Sequence, residues 1–129
     1  MRRLPLVTTQ PQLEKLCDIL SLSEYIAFDT EFVPEYTYRP QLCLLQVATP
    51  EVAAAVDPLK IKDLGCLWEL LVDPQREVIV HAGGAEFGFC LEATGKLPPR
   101  VIDVQIAAGF IGMGYPISYK VLLLSLIHI

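Results

Sequence analysis

Asp29 and Glu31 are the side chains of this 129-residue chain with the clearest capacity for chemistry. They lie in Tyr25-Ile26-Ala27-Phe28-Asp29-Thr30-Glu31-Phe32-Val33, a run rich in β-branched and aromatic residues that stops at Pro34, which predicts a strand. The pleat of a strand sends residues i and i+2 to one side, so both carboxylates share a face while Phe28 and Phe32 take the other. Given six Asp and nine Glu, a D-x-E triplet arises by chance about 0.4 times in such a chain, so the spacing alone decides nothing. The setting adds weight. The flanks are apolar enough for a central strand, where two unpaired like charges are costly. Mg²⁺ or Mn²⁺ removes that cost, because carboxylate oxygens are hard ligands and the metal offsets their repulsion. The competing reading is a solvent-facing strand with two inert acids.

The elements that must position this pair follow from periodicity. Thr8 or Thr9 before Pro11 starts a helix, and Leu13, Leu16, Cys17 and Leu20 recur at i, i+3, i+4 and i+7, giving a helix over residues 10–22. After a loop from Pro34 to Pro40, the apolar runs Leu42 to Ala48 and Val52 to Val56 are separated only by Thr49-Pro50-Glu51, which predicts a hairpin or meander. Leu64, Leu67, Trp68 and Leu71 repeat at helical spacing; Glu77 to His81 reads as a short buried strand and Ala85 to Thr94 as a helix capped by Gly95. Pro98-Pro99 breaks the chain before a short Val101-Ile102 strand. Asp103 can then cap a helix bearing Ile106, Ala107 and Phe110 that ends at Gly112 and Gly114. Neighbouring strands followed by strands alternating with helices predict an α/β fold, a mixed five-stranded sheet with helices on its faces.

Composition bounds the rest. The length suits one domain, and 53% hydrophobic against 19% charged residues excludes a disordered chain. The apolar run beginning at Val121 falls short of the roughly 18–20 residues that span a bilayer. Met1-Arg2-Arg3-Leu4-Pro5 lacks the apolar stretch of a secretory signal, so a cytoplasmic address is expected. A net charge of −5 argues against gripping nucleic acid by a broad basic surface, though not against binding it through metal ions. Cys17, Cys43, Cys66 and Cys90 form no CxxC pair and each has apolar neighbours, so four buried free thiols are expected.

Three segments carry a family resemblance that composition and spacing do not show. Ile26-Ala27-Phe28-Asp29-Thr30-Glu31-Phe32, Tyr38-Arg39-Pro40-Gln41-Leu42-Cys43-Leu44-Leu45-Gln46-Val47-Ala48 and Val56-Asp57-Pro58-Leu59 resemble the first exonuclease motif of the ribonuclease D family and its surroundings. His81-Ala82-Gly83 with the acid at position 86 resembles the second motif, and Asp103-Val104-Gln105-Ile106-Ala107-Ala108 the segment after it. The resemblance implies a ribonuclease H-like fold and a 3′-5′ exonuclease of the DEDD superfamily with two divalent metal ions, Mg²⁺ or Mn²⁺. It implies that Asp29 bridges both ions, that Glu31 holds the one positioning the attacking water, and that Glu86 is a further ligand. It also implies that the backbone at Thr30 to Phe32 seats the terminal nucleotide of a single-stranded RNA 3′ end. Phe32 is read equally as a ring stacked on that base or as a core residue.

The chain departs from the family pattern in two places, the second motif and the third. The second motif normally supplies aspartate where Glu86 stands, one methylene longer. Asp103 is an alternative ligand, though a helix cap accounts for it. His81 precedes the second motif, so a structural hydrogen bond or a substrate-phosphate contact is expected of it rather than activation of water. The third motif, Tyr-x-x-x-Asp, is absent after Asp103: Tyr115 and Tyr119 are followed four residues on by Tyr119 and Leu123. Residues 124–129, Leu-Ser-Leu-Ile-His-Ile, match the translation of a sequencing-library transposon end, so residues 1–123 are expected to be a partial exonuclease domain, incomplete at its C-terminus and inactive alone. The functional expectation is a monomeric 3′-5′ exoribonuclease of the tRNA-precursor-processing type. The alternatives are a catalytically weak nucleic-acid-binding or scaffold member of the fold, and a DNA-directed 3′-5′ exonuclease.

Overall fold

A computed structural model describes residues 1–34 and 38–127, with Ile127 described by its backbone alone. The elements run β1 (Arg2–Arg3), α1 (Gln10–Leu20), β2 (Tyr25–Val33), β3 (Gln41–Ala48), β4 (Val52–Val56), α2 (Gly65–Leu71), β5 (Glu77–Val80), α3 (Gly84–Thr94), β6 (Val101–Asp103), α4 (Val104–Phe110) and α5 (Tyr119–Ile127). Thr9 and Gln12 form a capping box at the start of α1 with Pro11 in its first turn, and Gly95 closes α3 in the left-handed region at φ 70°. Glu35 to Thr37 of the expected loop, and His128 and Ile129 of the expected tail, lie outside the described residues, whereas Leu124 to Ile127 form the last turn of α5.

The sheet has six strands in the order β1-β4-β3-β2-β5-β6, not five. β2, β3 and β4 form the expected antiparallel meander, and β5 and β6 add on parallel to β2. The extra strand is Arg2–Arg3, parallel to Val52 and Ala53 of β4. Two charged, exposed residues have no apolar alternation to betray a strand; only the open backbone of β4 makes them one, through Arg2 N–H to the Glu51 carbonyl and Leu4 N–H to that of Ala53.

The apolar face of β2, Ile26 and Phe28, meets Leu45 and Val47 of β3, Val56 of β4 and Val78 of β5 in one core under α1, α2 and α3. Leu13, Leu16 and Leu20 of α1 and Leu67 and Leu71 of α2 enter it, and Trp68 sets its ring edge-on to Phe28 at 6.0 Å. The helices α1, α2 and α3 thus cover one face, and α4 and α5 lie on the other, so helices flank both faces as expected. The opposite face is a cleft of about 620 Å³ floored by Ala27, Ala48, Ala53 and Ala55, with Asp29, Gln46, His81, Val104 and Tyr119 around it. Here α4 and α5 pack on each other through Ala108, Ile117 and Leu122, a separate small cluster beside β6. No helix among the described residues is long and apolar enough to cross a membrane.

Candidate active site

Asp29 and Glu31 sit in the half of β2 that outruns its parallel neighbour. Pairing with β5 ends at Ala27 opposite Ile79, whereas pairing with β3 continues through Asp29 opposite Gln46 and Glu31 opposite Leu44. The two acids therefore stand where the sheet opens beyond the carboxyl end of β5, the position at which parallel strands leave a crevice for ligands. Both are exposed and on the alanine-floored face, as alternation with buried Ile26, Phe28 and Thr30 requires. Gln46 Nε2 donates to Asp29 Oδ2 at 3.5 Å, a long contact; neither carboxylate has a cation partner among the described residues. Two neighbouring hard-oxygen donors without a counter-ion fit a divalent cation.

Glu86 is elsewhere. It lies in the first turn of α3, only 5% exposed, and accepts a 2.6 Å hydrogen bond at Oε1 from the Thr30 hydroxyl. Thr30 belongs to the core face of β2, so Glu86 is held behind the strand, on the side away from Asp29 and Glu31. The described residues contain no cluster of three or more His, Cys, Asp or Glu suited to a metal ion. Thr30 turns its hydroxyl inward and meets the site only through its backbone.

Phe32 stays on the core face, because the register shift beside it is taken up by Cys43 on β3 and leaves the alternation of β2 intact. It is 37% exposed and sets its ring 5.6 Å from Phe89 of α3, half core residue and half open edge. His81 follows β5 on the cleft side. A carbonyl can only accept, so its Nε2 carries the proton donated to Ile117 at 3.0 Å, and Tyr119 lies edge-on at 5.6 Å. Gln105 Nε2 donates to the same carbonyl at 3.0 Å.

Asp103 is fully engaged as a clamp. Its Oδ1 accepts from the N–H of Ala82 at 3.0 Å and of Gln105 at 2.9 Å, and Oδ2 from Gly83 at 3.1 Å. It caps α4 and at the same time pins the turn between β5 and α3, where Ala82 adopts φ 54°, left-handed for a residue with a Cβ. Partial burial pushes its carboxyl up, but the backbone N–H groups of Ala82, Gly83, Gln105 and Ile106 outweigh that and hold it below the ordinary value. Gly83 has no room for a side chain: a Cβ would come within 2.5 Å of Val80 Cγ2 and 3.0 Å of Phe87 Cζ. The expectation of four buried thiols holds for Cys17 and Cys90; Cys43 and Cys66 are half-buried.

Sequence reasoning missed Gln46 and the clamp by Asp103. Gln46 was visible as the polar residue in Leu45-Gln46-Val47, but only the register puts it opposite Asp29.

The strand order, with two acids on its central strand and helices behind, is that of a ribonuclease H-like fold. The crystal structure of Escherichia coli RNase D superposes with a TM-score of 0.89 at 35% identity, covering 100% of this chain and 34% of that one. Residues 5–129 match the model of the 3′-5′ exonuclease family, and the chain belongs to that family. Ribonuclease D of Zymomonas mobilis is 42% identical over 118 residues, 90% of this chain and 30% of its own length. The chain thus spans about a third of the length of the curated relatives it matches. Trypanosoma brucei RNase D, solved in complex with RNA U12, shares the fold with a TM-score of 0.67 at 18% identity, over 81% of this chain and 38% of that one.

Proposed function

We propose that these residues are the acid-bearing part of a metal-dependent 3′-5′ exoribonuclease acting on single-stranded RNA 3′ ends, of the kind that processes tRNA precursors. The observation that carries the reading is the pair Asp29 and Glu31, exposed, adjacent and without a counter-ion among the described residues where the sheet opens, in a member of the 3′-5′ exonuclease family. Asp29 and Glu31 hold two divalent ions, Mg²⁺ or Mn²⁺ by donor chemistry, with Glu86 as a third carboxylate once it leaves Thr30. The bound ions supply Lewis-acid stabilisation of the phosphate and a water activated at neutral pH. The protein's own part is to present these oxygens on a rigid central strand, to offer the open edge of Phe32 to the terminal base, and to close the other side of the cleft with His81. RNA is the proposed substrate by kinship with ribonuclease D, and the protein acts as a cytoplasmic monomer.

In the full-length protein, Asp29→Asn is expected to lower Mg²⁺-dependent release of nucleotides from a 5′-labelled single-stranded RNA by at least about a thousandfold. Unchanged turnover would refute the assignment. A DNA strand of the same sequence degraded faster than the RNA would make the enzyme DNA-directed. One observation favours a second reading, a nucleic-acid-binding member with weak catalysis: Glu86 is held by Thr30 behind the strand. RNA binding without hydrolysis in Mn²⁺, with hydrolysis gained on Glu86→Asp, is the outcome that reading requires.

A further inference from the structure

We propose that Cys17 of α1 and Cys66 of α2 are a redox pair that an oxidant joins into a disulfide, stapling the two helices together. Their sulfurs lie 2.7 Å apart. Ordinary non-bonded contact is about 3.5–4 Å even between carbon atoms, and a disulfide bond is about 2.0 Å, so closure asks for less than an ångström of movement. The approach does not depend on the thiols themselves. Gln10 at the start of α1 grips the backbone of Asp63 just before α2 from both sides, Nε2 donating to its carbonyl at 2.9 Å and Oε1 accepting its N–H at 3.3 Å. Leu13, Leu16, Leu67 and Leu71 of the same helices are fully buried in the core they share. A metal site is the rival use of two thiols, but it needs further ligands, and the described residues hold no group of three or more His, Cys, Asp or Glu placed for one.

The two cysteines differ in a way that divides the chemistry. Cys66 is half-buried and open to a small oxidant; Cys17 is 7% exposed, and burial, with Cys66 beside it, pushes its thiol far up. With hydrogen peroxide as oxidant, Cys66 sulfur attacks one peroxide oxygen, the O–O bond breaks, and one water leaves, giving a sulfenic acid. Cys17 sulfur then attacks the Cys66 sulfur; the S–O bond breaks and the second water departs with the Cys17 proton. Two thiols lose two hydrogens and two electrons, and one peroxide becomes two waters. The closed loop restricts the unfolded chain and fixes the helical layer behind β2, where Trp68 of α2 meets Phe28.

The test treats the protein with hydrogen peroxide, blocks remaining thiols with iodoacetamide under denaturing conditions, and maps peptides by mass spectrometry with a parallel thermal melt. A Cys17–Cys66 linked peptide is expected, with the melting midpoint raised by roughly 10 °C and restored by dithiothreitol. The Cys43→Ser/Cys90→Ser double variant is expected to keep the link and Cys66→Ser to lose it. Sulfinic acid at Cys66 with Cys17 alkylated, or a link through Cys43 or Cys90 instead, overturns the proposal.

Discussion

At the residue scale, the contact between Thr30 and Glu86 decides what the second-motif carboxylate can do. Buried at 5% exposure, Glu86 depends on the Thr30 hydroxyl for part of its solvation. Thr30→Val keeps the shape but removes the donor, and is expected to destabilise the fold by about 1–3 kcal/mol in urea unfolding, whereas Thr30→Ser retains most of the stability. Asp103 yields a pH prediction. Its folded pKa lies below the ordinary 3.8, so its contribution is complete above that value and is lost as pH falls through the lowered one. Unfolding midpoints followed between about pH 5 and pH 2 should therefore drop more for the wild type than for Asp103→Asn. The variant should start about 1 kcal/mol lower at neutral pH, having lost its two-oxygen grip on the turn. The pairing of Asp29 with Glu31 was legible from alternation alone. The side on which Glu86 lies was not, because a helical residue's direction depends on how its helix docks on the strand.

At the element scale, the turn from β5 into α3 shows where local pattern reading reaches its limit. His81-Ala82-Gly83-Gly84 presents two adjacent glycines that no sequence rule separates, yet a Cβ on Gly83 would strike Val80 and Phe87, while one on Gly84 would meet nothing within 4 Å. Gly83→Ala should push α3 off β5 and cost about 1–3 kcal/mol, read as a lower melting midpoint. Gly84→Ala in the same assay should be neutral or stabilising by up to about 1 kcal/mol, since it removes a flexible residue from a helix. The helices α1 and α3 and the strand β2 were readable because each carries an explicit breaker, Thr9 and Pro11, Gly95 and Pro34, and α1 a clean apolar period besides. β1 was not, because a two-residue edge strand has no period and exists only through its partner.

At the scale of the whole molecule, the charge of −5 and the exposed acids of β2 predict that RNA and this surface repel each other until a cation intervenes. In the full-length protein, Mg²⁺ added at constant ionic strength should tighten single-stranded RNA binding, chelation with EDTA should reverse the gain, and Asp29→Asn should abolish this dependence, measured by fluorescence anisotropy. The sequence by itself determined the elements between residues 10 and 110, the meander, the acid-bearing strand and the side of it on which Asp29 and Glu31 stand, since all of these follow from periods of 2 and 3.6 residues and from local breakers. Only the tertiary structure decided which helices lie on which face, that Asp103 serves as a clamp, that Glu86 turns to Thr30 and that Cys17 meets Cys66. Those facts depend on contacts between residues 20 to 60 positions apart in the chain, and such contacts are set by how the layers pack against one another rather than by any pattern within one segment.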